Sequence, residues 1–97
     1  MAIVRVFRVK IDPNLRDEFE KKFETISVDA VKHRLGFLSE TIHKPTKWAP
    51  DEYAMISHWE SEADLQAFAG TNWNQAVIPE EMAKYVIHCW VHHYAAW

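Results

Sequence analysis

Apolar residues fall along this chain in two periods, and the switches between them mark its elements. Residues 2–11, AIVRVFRVKI, are rich in Val and Ile and free of Gly and Pro, which predicts a first strand. Ile3, Phe7, Val9 and Ile11 share one parity, while Val4 and Val6 sit on the other. With bulk on both faces, both need cover: helices on one side, a second sheet or subunit on the other.

Asp12-Pro13 joins a good N-cap to a proline at the first helical position. Leu15, Phe19, Phe23, Ile26 and Ala30 then recur at helical spacing, with Arg16, Asp17, Glu20, Lys21 and Glu24 on the opposite side, so an amphipathic helix is expected. Lys32, His33 and Arg34 suit its closing turn, and Gly36 suits its end. Residues 37–44 predict a second strand. Pro45 and Pro50 bracket a turn holding Lys47 and Trp48, and residues 52–59 predict a third strand that hairpins with the second. Ser61, with Asp64 three residues on, resembles a capping box for a second helix carrying Leu65 and Phe68 inward and interrupted near Gly70. A loop and a short helical piece reaching Met82 or Lys84 precede a last strand over 85–94.

The order strand, helix, strand, strand, helix, strand is that of the ferredoxin-like split βαβ motif: an α+β sandwich with an antiparallel sheet, expected as one domain over 1–97. Such a sheet leaves one apolar face uncovered, and pairing two copies is the simplest remedy, so a homodimer is expected.

Composition narrows the function. Hydrophobic residues make up 48% of the 97, with 2 Gly and 4 Pro, which argues for a packed core over disorder. Aromatic residues reach 13%, including 5 Trp, more than so short a chain readily buries, which points to rings at an interface or a ligand cavity. A net charge of -3 gives no electrostatic footprint for nucleic acid. The N-terminal residues read as a strand, not as a signal peptide or a membrane span. Cys89 is the only cysteine, which excludes an intrachain disulfide or thiolate cluster and suggests the cytoplasm.

The stretch WESEADLQAF (residues 59–68), the segment FAGTNWNQAVIPEE (residues 68–81) and the closing HHY (residues 92–94) resemble antibiotic-biosynthesis-monooxygenase-like domains. The resemblance implies a dimeric α/β barrel, in which two sheets close together and each subunit keeps a pocket between its own sheet and helices. It also implies, as the leading function, a cofactor-independent monooxygenase acting on an aromatic, polycyclic or quinol-like molecule. A non-enzymatic ligand-binding or structural dimer is one alternative, and a haem-degrading protein is another. The haem-degrading branch combines an Asn on the first strand, a Trp in the second helix and a His ligand further on. The matching positions here are Phe7 or Arg8, Phe68, and the Val77-Ile78 region.

Cofactor-independent oxygenation asks the protein for orientation, a general base and a dry pocket. Histidine is the natural base. His58 ends the third strand, and His88 and His92 share a parity of the last one, so these three are the candidate catalytic residues; if that parity faces the helices, His93 faces the dimer side. His88 and His92 stand about 13 Å apart along a strand, too far for a local chelate, and no metal is expected. Asn72 and Trp73 are placed to hold a substrate oxygen and stack on its ring. Arg8 is a candidate partner for an anionic substrate, and Tyr53, Trp59 and Phe68 are candidates for an apolar wall. Cys89 lacks any activating motif and reads as packing.

Overall fold

The structure, a computed structural model, describes residues 2–97; Met1, the first residue of the expected domain, lies outside them. Strands β1 (Ile3–Ile11), β2 (Phe37–His43), β3 (Glu52–Trp59) and β4 (Val86–Ala95) form one sheet in the order β2-β3-β1-β4. All three pairings are antiparallel. Helices α1 (Arg16–Lys22), α2 (Val28–Lys32) and α3 (Glu62–Ala69) complete the ferredoxin-like α+β sandwich. The sheet is open, with β2 and β4 as edges, so this chain does not by itself close a barrel. None of the described helices is long and apolar enough to cross a membrane.

The local signals work as the sequence reads. The Asp12 side chain accepts a hydrogen bond from the Asn14 N–H at 3.0 Å and opens a 3-10 turn, Pro13–Leu15, ahead of α1. Ser61 accepts from the Asp64 N–H at 3.2 Å and caps α3. The short helical piece before the last strand is a 3-10 helix, Glu80–Tyr85.

The first helix departs from expectation in phase. Phe19, Phe23, Ser27 and Val31 are its buried positions, each four residues after the last, whereas Ile26 and Ala30 are only half-buried. In an α-helix, 3.6 residues per turn, a step of four overshoots the turn by about 40°, so a strict four-residue stripe would wind off the sheet. A π-helical segment, Phe23–Ser27, sits between α1 and α2 and widens the turn, holding the stripe on one face.

Alternation divides the sheet into two faces. Val9, Ile11, Tyr53, Met55 and Trp59 point to the helices and form the core with Phe19, Phe23, Leu65, Met82 and Tyr85. Each fully buried large side chain contributes about 1.5–3 kcal/mol. A bulge between Phe37 and Ser39 turns Phe37 onto Trp59, ring centroids 5.6 Å apart, and leaves Leu38 exposed. The other face carries Val4, Val6, Arg8, Ile56, His58, His88, Trp90, His92 and Tyr94, with no helix over it among the described residues.

Candidate functional site

The odd positions of β1 face the helices, and they include one charged residue, Arg5. Its register partners are Ser57 on β3 and His93 on β4, while Ser57 in turn pairs with Glu40 on β2. Paired residues project to the same side of a sheet, so a polar row crosses an otherwise apolar layer.

Arg5 is 4% exposed. Its Nη1 donates to the Trp73 carbonyl at 2.7 Å and to His93 Nε2 at 2.8 Å, and Nη2 donates to the Gln75 carbonyl at 3.2 Å. A guanidinium has five N–H donors and no acceptor. Three are engaged, and none of the six ion pairs among the described residues includes Arg5. Burial brings its pKa down to about 10, so it stays charged at neutral pH. The ring of Phe68 lies 5.9 Å from the guanidinium carbon and is stacked on Trp59 at 5.3 Å.

Because Arg5 can only donate, His93 Nε2 must accept, which makes the imidazole neutral with its proton on Nδ1. Burial first, then the positive charge of Arg5 and the neighbouring His92, push the His93 pKa down to about 4. The Trp73 ring packs edge-on against the imidazole at 4.5 Å.

Arg5 forms the polar end of a cavity of about 40 Å³ between sheet and helices, whose walls include Phe7, Met55, Phe68, Val77, Ile78 and Ser27. Pockets for drug-sized ligands span about 300–1,000 Å³. A polycyclic guest therefore requires the segment 70–79 to yield. That segment has turns but no helix or strand and supplies Val77, Ile78 and Pro79 to the wall. Gly70, at φ 84°, begins it, and Arg5 ties it down through two carbonyls. A second cavity, about 250 Å³, lies at the β2 edge beside Tyr53, Glu20 and Lys44. Tyr53 donates there to Glu20 at 2.5 Å, and Lys44 stands 3.2 Å from the same carboxylate.

The structure redistributes the residues singled out in the sequence. Phe68 lines the Arg5 cavity, and Trp73 adjoins it through its carbonyl and its contact with His93. His58, His88 and His92 are not brought to the cavity. They face the uncovered side of the sheet, because the β1–β4 register places Cys89, Val91 and His93 on the helix side instead. His93, expected on the dimer side, is the histidine beside the cavity. Arg8 likewise points outward, bonded to Glu52 at 2.8 and 3.3 Å and set over the Trp90 ring at 5.0 Å. The arginine at the cavity is Arg5. Tyr53 and Trp59 are core residues, at 2% and 0% exposure. Trp59 donates its Nε1–H to Ser57. Asn72 is exposed, its carbonyl accepting from the Gln75 N–H at 2.9 Å in a turn. One sequence signal pointed to Arg5: a charge on the same parity as Phe7, Val9 and Ile11.

Residues 2–85 match the family model described as antibiotic biosynthesis monooxygenase. The chain belongs to that family. It is 30% identical over 69 residues to the mycobilin-producing heme oxygenase of Mycobacterium tuberculosis strain H37Rv, an alignment covering 71% of this chain. That alignment spans 64% of the relative's length. In fold it is similar to a putative antibiotic biosynthesis monooxygenase from Caulobacter crescentus, with TM-score 0.75, 18% identity, and 99% of this chain and 90% of that one covered. It is also similar to a mutant of SnoaB, a cofactor-independent oxygenase from Streptomyces nogalater, with TM-score 0.74, 13% identity, and coverage of 98% and 92%. A heme-free heme-degrading protein from Mycobacterium tuberculosis gives TM-score 0.66, 23% identity, and coverage of 98% and 93%.

Of the positions at which the resemblance to the haem-degrading branch implies Asn, Trp and His, Phe7, Phe68, Val77 and Ile78 line the Arg5 cavity, whereas Arg8 does not. Their side chains offer iron no ligand. Among the described residues, the cavity wall contains no His, Cys or Tyr, and its sulfurs belong to the core residues Met55 and Met82. The donor set does not fit an iron-ligated haem.

Proposed function

We propose that this chain is a cofactor-independent monooxygenase whose substrate is a planar aromatic or quinol-like molecule bearing an acidic oxygen. The observation that carries the reading is Arg5: a buried cation without a carboxylate partner, facing an apolar cavity. Bringing such a charge out of water costs several kcal/mol, and an anionic oxygen from a ligand offsets that cost. An electron-rich anion is also the form of substrate that can pass an electron to oxygen without a cofactor. The protein then needs to orient it, hold the charge and exclude water. Phe7 and Phe68 supply apolar surface for the ring, and Arg5 supplies donors for the oxygen. Oxygen consumption with a panel of polycyclic phenols and quinols tests this: turnover with at least one, lost in Arg5→Gln, is expected. No binding and no turnover across the panel overturns it.

The 30% identity to a heme oxygenase favours a second reading, haem binding or degradation, more strongly than sequence favours the SnoaB-like one. Hemin titration separates them. A Soret shift followed by reductant-dependent loss of the haem spectrum replaces the first reading with the second, and a ligand to the iron would then come from outside the cavity wall described above.

The uncovered sheet face supports a homodimer. Val4, Val6, Ile56 and Trp90 there are only half-buried and Tyr94 is 57% exposed, an apolar area that a second copy would remove from water. Sedimentation at micromolar concentration is expected to show a dimer, and a folded monomer would refute it. Placement in the cytoplasm belongs to the same reading, supported by the free thiol of Cys89.

A further inference from the structure

Arg5 and His93 stand in an arrangement that does more than hold a charge. Only Nη1 of Arg5 touches the imidazole, and what it occupies is the Nε2 lone pair, the one basic site on the ring. Two other Arg5 donors have no partner among the described residues. The groups acting on His93 are Arg5 from β1, His92 beside it on β4 and the Trp73 ring from the segment after α3. Burial, then the charge of Arg5 and the neighbouring His92, disfavour a second proton on the ring while no anion neutralises Arg5. An anion at Arg5 reverses both effects: it draws the Nη1 proton off Nε2 and cancels the charge that repels a second cation.

We infer that Arg5 and His93 form one acid–base unit that ionises a phenol as it binds. Arg5 turns its Nη1–H from His93 to the substrate oxygen, the O–H bond of the phenol breaks, and its proton goes to Nε2. The phenolate keeps the electron pair, the imidazole becomes imidazolium, and no oxidant or reductant takes part. His93 is then the base that oxygenation requires, and it is basic only when the cavity is filled. This rests on the reading of the cavity proposed above and names the group that removes the proton.

The probe is 4-nitrophenol, whose phenol and phenolate absorb at different wavelengths. On the wild-type protein the bound probe is expected to ionise at least one pH unit below the free probe, a tenfold shift in proton affinity. Calorimetry in buffers of different ionisation enthalpy is expected to show no net proton release near pH 6, because His93 keeps the proton. His93→Gln, which retains an acceptor for Arg5, is expected to release about one proton per probe bound. Nitrogen-15 spectra of the wild-type protein need no variant: His93 should change from the Nδ1–H tautomer to imidazolium when the probe is added. If the probe does not bind at all, the cavity reading itself fails. If it binds with an unshifted ionisation, or if His93 keeps its neutral tautomer in the complex, the cavity reading stands and the acid–base unit is overturned.

Discussion

Nη1 of Arg5 lies 2.8 Å from Nε2 of His93, and the two residues are direct register partners on β1 and β4. The contact sets the protonation of one residue and the anchoring of the other. Because arginine only donates, the pair exists with His93 neutral; because the same guanidinium also reaches Trp73 and Gln75, the pair is joined to the segment that covers the cavity.

The first consequence is a pH dependence. His93 has a folded-state pKa of about 4, below the 6.5 of an exposed imidazole, so between those values the unfolded chain binds the proton and the folded one does not. Stability therefore rises with pH from about 4 to about 6.5 and is flat, as far as His93 is concerned, on either side. Thermal melts across this range should show that slope in the wild type and a smaller one in His93→Gln. Equal slopes in both would mean that His93 titrates normally.

Arg5→Gln should loosen the covering segment. Hydrogen bonds from a charged donor contribute about 1.5–3 kcal/mol each, and two of those at Arg5 end on this segment. Amide hydrogen exchange over residues 72–76 is expected to accelerate by about tenfold or more, with α1 and β3 little changed. Unaltered exchange there would show that the Trp73 and Gln75 carbonyls are not what holds the segment.

Val77→His installs an imidazole at the cavity wall, in the Val77-Ile78 region where the resemblance to the haem-degrading branch implies a His ligand. Hemin titration of this variant should give a Soret shift and an affinity at least about tenfold above the wild type, corresponding to ~1.4 kcal/mol. No gain would indicate that the wall cannot yield enough for a porphyrin.

Gly36 makes the turn between α2 and β2 at φ 81°, and a Cβ there would stand 2.3 Å from the Asp64 carboxyl group. Gly36→Ala combines left-handed backbone strain with displacement of the side chain that receives the Ser61 hydroxyl, so a loss of about 1–3 kcal/mol in urea unfolding is expected. A change under about 0.5 kcal/mol would mean that Asp64 moves aside freely.

Ile56→Glu places a charge in the middle of the uncovered sheet face, opposite Val6 and Thr41. Two such faces packed together would bury both carboxylates, so the variant should sediment as a folded monomer where the wild type sediments as a dimer. A persistent dimer would move the interface elsewhere.

The elements were legible because each carried its own local chemistry. Asp12-Pro13 and Ser61 with Asp64 announced helix starts, and Gly36 and Gly70 their ends. The alternation Tyr53, Met55, Ser57, Trp59 placed β3 to the residue. The π segment was not legible: Ile26 and Ala30 suit an α-helical stripe, and only packing against a sheet favours holding Ser27 and Val31 in line instead.

The sequence by itself determined the order of strands and helices, and through that order the ferredoxin-like sandwich, since capping, turn chemistry and hydrophobic period are properties of neighbours along the chain. Only the tertiary structure decided the site. The last strand carries histidine or aromatic side chains on both parities, so nothing within it says which parity faces the helices. That choice depends on its register with β1, which pairs residues from Ile11 with Val86 to Ile3 with Ala95, far apart along the chain. The sheet register moved the candidate base from His58, His88 and His92 to His93, and the packing of the helices over Arg5, Phe7 and Val9 moved the candidate anion partner from Arg8 to Arg5. A one-residue shift in a strand exchanges its two faces entirely, which is why the identity of a site on a sheet is a tertiary fact even when the sheet itself is a local one.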